Sequence, residues 1–216
     1  MNIIVTGGLG QIGSHVTELL LKRGDNVLVI DNLATGRKEH LRPHERLNIV
    51  YNSIAKKEII HEIFEEYKPE VVVHAAASYK NPNDWYSDNL TNSVGGANIV
   101  QVSKTFGVKR FIYFQTALCY GQKPIEQPIT LNHSRNPSGS SYAITKTVNE
   151  LFIELSGIDY VTFRLANVVG PRNVAGPLPI FYQRLKDKKK CFVTKSRRDF
   201  GQHRLGRSGR NRRNCR

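Results

Sequence analysis

Tyr142 and Lys146 stand four residues apart in Ser140–Ser156, a stretch patterned as a helix, so a phenol and an ammonium share one face. A phenol titrates near pH 10 and is a poor base at neutral pH. A lysine charge beside it stabilises the phenolate and lowers that value, so the pair is expected to move a proton. Taken alone, the spacing describes a solvated helix face equally well. Its weight comes from Gly7-x-x-Gly10-x-x-Gly13, which lies between a β-branched run and an amphipathic stretch. In that context one glycine allows a tight turn, one lets backbone approach a pyrophosphate, and one lets helix and strand pack closely. The helix N-terminus adds unpaired N–H groups that attract phosphate. Asp31 ends the next apolar run, 18 residues after Gly13. A carboxylate there binds adenosine ribose hydroxyls and repels the extra phosphate of NADP, so the implied cofactor is NAD.

Short β-branched runs alternate with amphipathic stretches along the chain. Strands are expected at Asn2–Thr6, Val27–Asp31, Leu47–Tyr51, Glu70–His74, Arg110–Gln115 and Tyr160–Leu165. Helices are expected at Gln11–Arg23, Lys56–Tyr67, Leu90–Phe106 and Ser140–Ser156, with Gly24 capping the first. Nearly unbroken apolar strands separated by helices specify an α/β protein with a doubly wound parallel Rossmann sheet, covered on both faces.

Seven motifs in order carry a family resemblance over residues 1–200: Gly7-Gly8-Leu9-Gly10-Gln11-Ile12-Gly13, Asp31-Asn32-Leu33, His74-Ala75-Ala76-Ala77, Asn92 with Gly95, Thr116 before Tyr120-Gly121, Tyr142-x-x-x-Lys146, and Arg164 to Pro171. With these the chain resembles the extended short-chain dehydrogenase/reductases, in particular NAD-dependent nucleotide-sugar epimerases of the UDP-glucose 4-epimerase type. The resemblance implies that Tyr142 removes the sugar O4 proton while the C4 hydride passes to NAD, and that Thr116 hydrogen-bonds the reacting hydroxyl. It implies that Lys146 holds the nicotinamide ribose. Gly7, Gly10, Gln11, Ile12, Gly13, Asp31, Asn32, Leu33, Ala75, Ala76, Ala77 and Asn92 are expected around the cofactor. Asn167 matches a residue that contacts the substrate diphosphate, and Lys80 could reach the substrate. Where the third strand of relatives ends in an adenine-facing Asp, this chain has Asn52-Ser53-Ile54. Ser53 keeps one hydrogen bond to offer there, with Ile54 beside it.

After Thr116, related dehydratases carry Asp-Glu and decarboxylases a Glu at the second place. Ala117 and Leu118 cannot transfer a proton, which argues against both activities. Cys119 invites comparison with epimerase-reductases that use a cysteine, but Asp31 opposes the NADPH they need. The expected partner is a nucleotide sugar, a UDP-sugar first, in polysaccharide synthesis. Family members commonly form homodimers through two long helices, here Leu90–Phe106 and Ser140–Ser156.

The formal charge of +14 is uneven. Residues 1–183 hold 18 basic and 16 acidic groups, whereas 184–216 hold 14 basic groups against Asp187 and Asp199. The basicity belongs to the end of the chain, so its body gives no reason to favour nucleic acid as partner. Some cations of Arg184–Arg198 could meet a diphosphate. Three cysteines, none at metal-ligand spacing, and no apolar run of the roughly 18 residues a membrane span needs, suggest a reduced cytoplasmic protein without a metal. Residues 1–175 are expected to form the NAD domain and 176–200 to begin a substrate region, most of that smaller lobe being missing. Residues 201–216, with six arginines, no acid and only Leu205 and Cys215 as apolar side chains, are expected to be disordered. That tail has no family counterpart, and codons exist for Phe200–Arg216 whose one-base shift yields a strand-and-helix pattern. A frameshifted or truncated product is therefore expected, with NAD binding kept and turnover weakened. The alternatives are a non-catalytic NAD-binding module and an RNA-binding basic tail.

Overall fold

The computed structural model describes residues 1–79, 81–174 and 176–193, together with 213–214. The chain forms two compact units, Met1–Arg172 and Asn173–Arg216. In the first, strands β1 (Asn2–Thr6), β2 (Asn26–Asp31), β3 (Leu47–Tyr51), β4 (Val71–His74), β5 (Arg110–Thr116) and β6 (Tyr160–Leu165) form one sheet in the order β3-β2-β1-β4-β5-β6. Every neighbouring pair is parallel, with Ile4 opposite Leu28 on one side and Val72 on the other. The doubly wound arrangement expected from the sequence is therefore present, and the strand order reverses between β1 and β4. That reversal opens a crevice at the strands' carboxyl ends, where α/β proteins bind ligands.

Successive residues of β1 serve opposite faces. Ile4 joins Leu28, Phe64, Val72, Ile99, Phe111 and Ile153 in one core, while Ile3 and Val5 join Val27, Val29, Leu9 and Val73 in the other. The helices are α1 (Gln11–Arg23), α2 (Lys57–Tyr67), α3 (Trp85–Asp88), α4 (Gly96–Thr105) and α5 (Ser141–Ser156). Gly24, at φ 91°, closes α1 by donating its N–H to the Leu20 and Leu21 carbonyls. The Ser140 hydroxyl caps α5 by accepting the Ala143 N–H at 3.1 Å.

One expected helix begins earlier than its apolar pattern. α3 starts after Asp84, whose carboxylate accepts the Ser87 N–H at 3.0 Å, and runs through a π segment, Asn89–Gly95, into α4. Such an inserted residue often marks a functional site. In the second unit, α6 (Pro177–Lys186) starts with proline in its first turn, and β7 (Phe192–Val193) pairs antiparallel with β8 (Arg213–Asn214). α6 is not among the expected helices, although Leu178, Phe181, Tyr182 and Leu185 stand at helical spacing. Apart from 213–214, the expectation for the 201–216 tail falls outside the described residues.

His74, at the end of β4, is 1% exposed and stacks on Tyr113 at 5.5 Å. The Thr6 hydroxyl accepts the Ala76 N–H and shares a hydrogen bond of 2.6 Å with His74 Nδ1. Burial pushes the imidazole down to about 3, and the Lys146 charge adds to the shift. An unfolded histidine titrates near 6.5, so between these values the unfolded chain binds the extra proton. Stability is accordingly lost as pH falls from about 6.5 towards 3. His74→Asn keeps a hydrogen-bond partner for Thr6 but cannot titrate. Its urea-unfolding free energy should fall less steeply over pH 6.5–4, by ~1.4 kcal/mol per pH unit, the slope of one proton.

Candidate active site

The predicted residues gather at the carboxyl ends of the strands. Between β1 and α1, Gly7 has φ 67°, and a Cβ there would lie 2.6 Å from the Ala76 nitrogen. A Cβ on Gly13 would strike the Gly7 carbonyl. Both positions therefore exclude a side chain, and the turn sits flat against the loop after β4. The Ser14 N–H makes the first helical bond, to the Gly10 carbonyl, so helix geometry leaves the Gln11, Ile12 and Gly13 amides without intrahelical acceptors. Asp31 closes β2, 7% exposed, with Oδ2 accepting the Leu9 N–H at 2.9 Å and Oδ1 the Leu33 N–H at 2.8 Å. Each carboxylate oxygen retains a lone pair for a further donor. Asn32 is exposed, and its Oδ1 accepts the Ala34 N–H.

Past β3, the Ser53 hydroxyl accepts the Ala55 N–H at 3.2 Å and keeps its hydrogen to donate. Ile54 turns inward. It is 4% exposed in the core, and its carbonyl accepts from Asn98 Nδ2. Ala75 and Ala76 are tied back to β1 through the Thr6 carbonyl and hydroxyl. Ala77 follows on the same loop, partly exposed. Asn92, in the π segment, spends its amide on protein groups. It accepts the Ser78 N–H and donates to the Ser78 carbonyl and the Thr145 hydroxyl. Beside it, buried Asp88 accepts from the Ser78 and Ser141 hydroxyls. These two residues, of which the sequence motifs include only Asn92, lock the β4 loop to the start of α5.

Thr116 ends β5; its hydroxyl accepts the Leu118 N–H at 3.2 Å and acts on the Tyr142 phenol as a polar neighbour. Tyr142 and Lys146 share a face of α5, as the spacing requires, but the charge relation differs from expectation. Burial pushes Tyr142 up to about 12. Neighbouring Tyr79 adds to the rise, the Thr116 side chain opposes it, and Asp88 adds further. The Lys146 Nζ instead lies 4.1 Å above the Tyr113 ring, a cation–π contact. Burial brings its amine down to about 7, against an upward pull from Glu150. Cys119 is fully buried and its thiol is raised to about 11, again by burial first. Asn167 lies exposed two residues beyond β6, and Lys80 lies outside the described residues.

The glycine turn, the amides of α1 and the Asp31 carboxylate fit a dinucleotide. Asp31 offers acceptors to ribose hydroxyls and would repel a ribose phosphate. Among the described residues, no helix is long and apolar enough to cross a membrane.

Comparisons with known proteins converge on this architecture. The chain superposes with a TM-score of 0.88 on a crystal structure of Bordetella bronchiseptica WbmH in complex with NAD+, at 62% identity, covering 90% of this chain and 65% of that one. Bordetella bronchiseptica WbmG in complex with NAD and UDP matches at 44% identity and a TM-score of 0.84, over 91% and 63% of the two chains. A putative UDP-glucose 4-epimerase of Methanocaldococcus jannaschii is 32% identical over 198 residues, 85% of this chain and 62% of its own length. The chain thus spans less than two thirds of each of these relatives. The model of the NAD dependent epimerase/dehydratase family matches residues 3–204, and the chain belongs to that family.

Proposed function

We propose that the chain carries the cofactor and proton-transfer half of an NAD-dependent UDP-hexose 4-epimerase. The arrangement that supports this most directly is Thr116 at the end of β5 and Tyr142 with Lys146 one turn further on α5, in a sheet whose β1 and β2 end in the glycine turn and Asp31. The relatives solved with NAD and UDP, and a Thermotoga maritima UDP-glucose 4-epimerase solved with UDP-glucose at 33% identity, favour UDP as the nucleotide.

In this reading the α1 amides hold the pyrophosphate, and Asp31 selects the unphosphorylated adenosine ribose. Thr116 orients the sugar O4, and Tyr142 takes its proton and later returns it. Lys146 anchors the nicotinamide ribose, while Asn167 and Lys80 face the substrate. NAD supplies the group that accepts the C4 hydride and gives it back to the opposite face of the sugar. Two copies pair through α4 and α5. Ile144, Leu151 and Leu155 fall on one face of α5 and are exposed by 47%, 48% and 80%, more apolar surface than a solvated helix carries.

Incubation with NAD and UDP-glucose, or its N-acetyl relative, should interconvert the C4 epimers, and Tyr142→Phe should slow conversion at least ~100-fold. Preferential conversion of GDP- or dTDP-hexoses would replace the assigned nucleotide. NAD binding with no conversion would leave a cofactor-binding module.

The buried Lys146 amine carries a stability cost. Its folded pKa of about 7 lies below the unfolded value near 10.4, so the unfolded chain holds the extra proton between them. Stability is then lost as pH falls from about 10 to 7. Lys146→Met should weaken NAD binding yet stabilise the fold at pH 7–8 by about 1–4 kcal/mol. Urea titrations should show that gain vanishing above pH 10.5. Analytical ultracentrifugation should find a dimer that Leu155→Glu converts to monomer.

A further inference from the structure

Gln115 lies immediately before Thr116 on β5 and is 2% exposed. Its carboxamide reaches both candidate catalytic elements. Oε1 accepts the backbone N–H of Thr116 at 2.8 Å. Nε2 donates to the backbone carbonyl of Lys146 at 3.0 Å and to Glu150 Oε2 at 2.9 Å. Both amide hydrogens are therefore used, and the amide cannot turn over. A flipped group would set its oxygen against the Lys146 carbonyl and the Glu150 carboxylate, and its NH2 against the Thr116 N–H.

Glu150 is itself immobilised. It is 1% exposed, and Oε1 accepts from Arg164 Nε at 3.0 Å and Nη2 at 2.9 Å. Arg164 comes from β6 and donates Nη1 to the Tyr120 hydroxyl. Arg135 Nη1 stands 3.6 Å from Glu150 Oε2, so the carboxylate is charge-balanced on both oxygens. Phe111 and Ile153 supply apolar contact between β5 and α5, and the Tyr113 hydroxyl also donates to the Lys146 carbonyl, at 2.9 Å. Directional bonds set spacing where apolar packing does not, and of these two polar links the carboxamide is the one that also holds the Thr116 N–H and Glu150.

We propose that Gln115 is a positioning residue, oriented by the Glu150–Arg164 pair, whose carboxamide sets the distance between Thr116 on β5 and the Tyr142–Lys146 face of α5. Its catalytic consequence rests on the epimerase reading, whereas its geometric part does not. Gln115→Met keeps the length of the side chain and loses every hydrogen bond. Gln115→Glu keeps the acceptor for Thr116 but sets a second oxygen against two acceptors, so it regains one of the two donor bonds, and only when protonated.

Amide hydrogen exchange without substrate and steady-state kinetics with UDP-hexose separate the two parts. In Gln115→Met the Thr116 amide should exchange at least tenfold faster, and NAD affinity should stay within about threefold. Its kcat should fall ~10- to 100-fold with KM little changed, as for an ångström-scale misplacement. Gln115→Glu should recover part of its kcat relative to wild type as pH is lowered, a signature that a merely structural side chain would not give. Unchanged kcat in Gln115→Met despite faster Thr116 exchange overturns the positioning role, as does a flat relative pH profile for Gln115→Glu. A wild-type chain that binds NAD but converts no UDP-hexose defeats the epimerase reading alone. Exchange then decides: unchanged Thr116 protection overturns the proposal, and accelerated exchange supports it.

Discussion

The first unit is organised around two opposite charges buried one turn apart on α5. Lys146 is 2% exposed and Glu150 is 1% exposed, and the cost of taking either out of water is several kcal/mol unless partners return it. Each finds a different remedy. Glu150 is met by Arg164 in a two-bond pairing from β6, by Arg135, and by the Gln115 amide from β5. Lys146 gets the face of Tyr113 and the upward pull of Glu150, which do not offset its burial, so its amine is brought down to about 7. The polar inventory therefore ties α5 to two neighbouring strands with directional bonds, where most of the sheet is held by Val, Ile and Phe alone.

Much of this is legible in the chain's pattern, for physical reasons. The inner strands β1, β2, β4 and β5 are short apolar runs largely buried on both faces, and such runs are hard to place elsewhere, while the edge strands β3 and β6 are only partly buried. The glycine turn and Asp31 are recognisable because backbone proximity and carboxylate chemistry leave few substitutes. α6 is legible too, since Gly176-Pro177 is a start signal and Leu178, Phe181, Tyr182 and Leu185 stand at helical spacing, but it is absent from the expected helices. The early start of α3 escapes, because its signal is the Asp84 cap and not an apolar period.

Side-chain partnerships are less visible. Gln115 sits in a strand of otherwise apolar pattern, and no local rule says that its amide will bridge two elements separated by 31 residues of sequence. Ile54 and Asn92 share the other difficulty. Their positions match a cofactor motif, yet the first packs into the core and the second binds loop backbone. A motif records where a residue stands, whereas its role depends on which groups the fold brings to it.

Tyr142 makes that distinction concrete. Helical spacing alone suggests that Lys146 makes the phenol acidic, but an ammonium above the Tyr113 ring exerts its field on His74. Burial holds Tyr142 towards its neutral phenol and Lys146 towards its neutral amine. Among the groups acting on that phenol, the Thr116 side chain is the one that lowers its pKa. A polar contact weakens steeply with misalignment, so its influence is only as good as its placement. The proton chemistry of Tyr142 is therefore bound to the position of Thr116, and hence to whatever holds the end of β5 at its distance from α5.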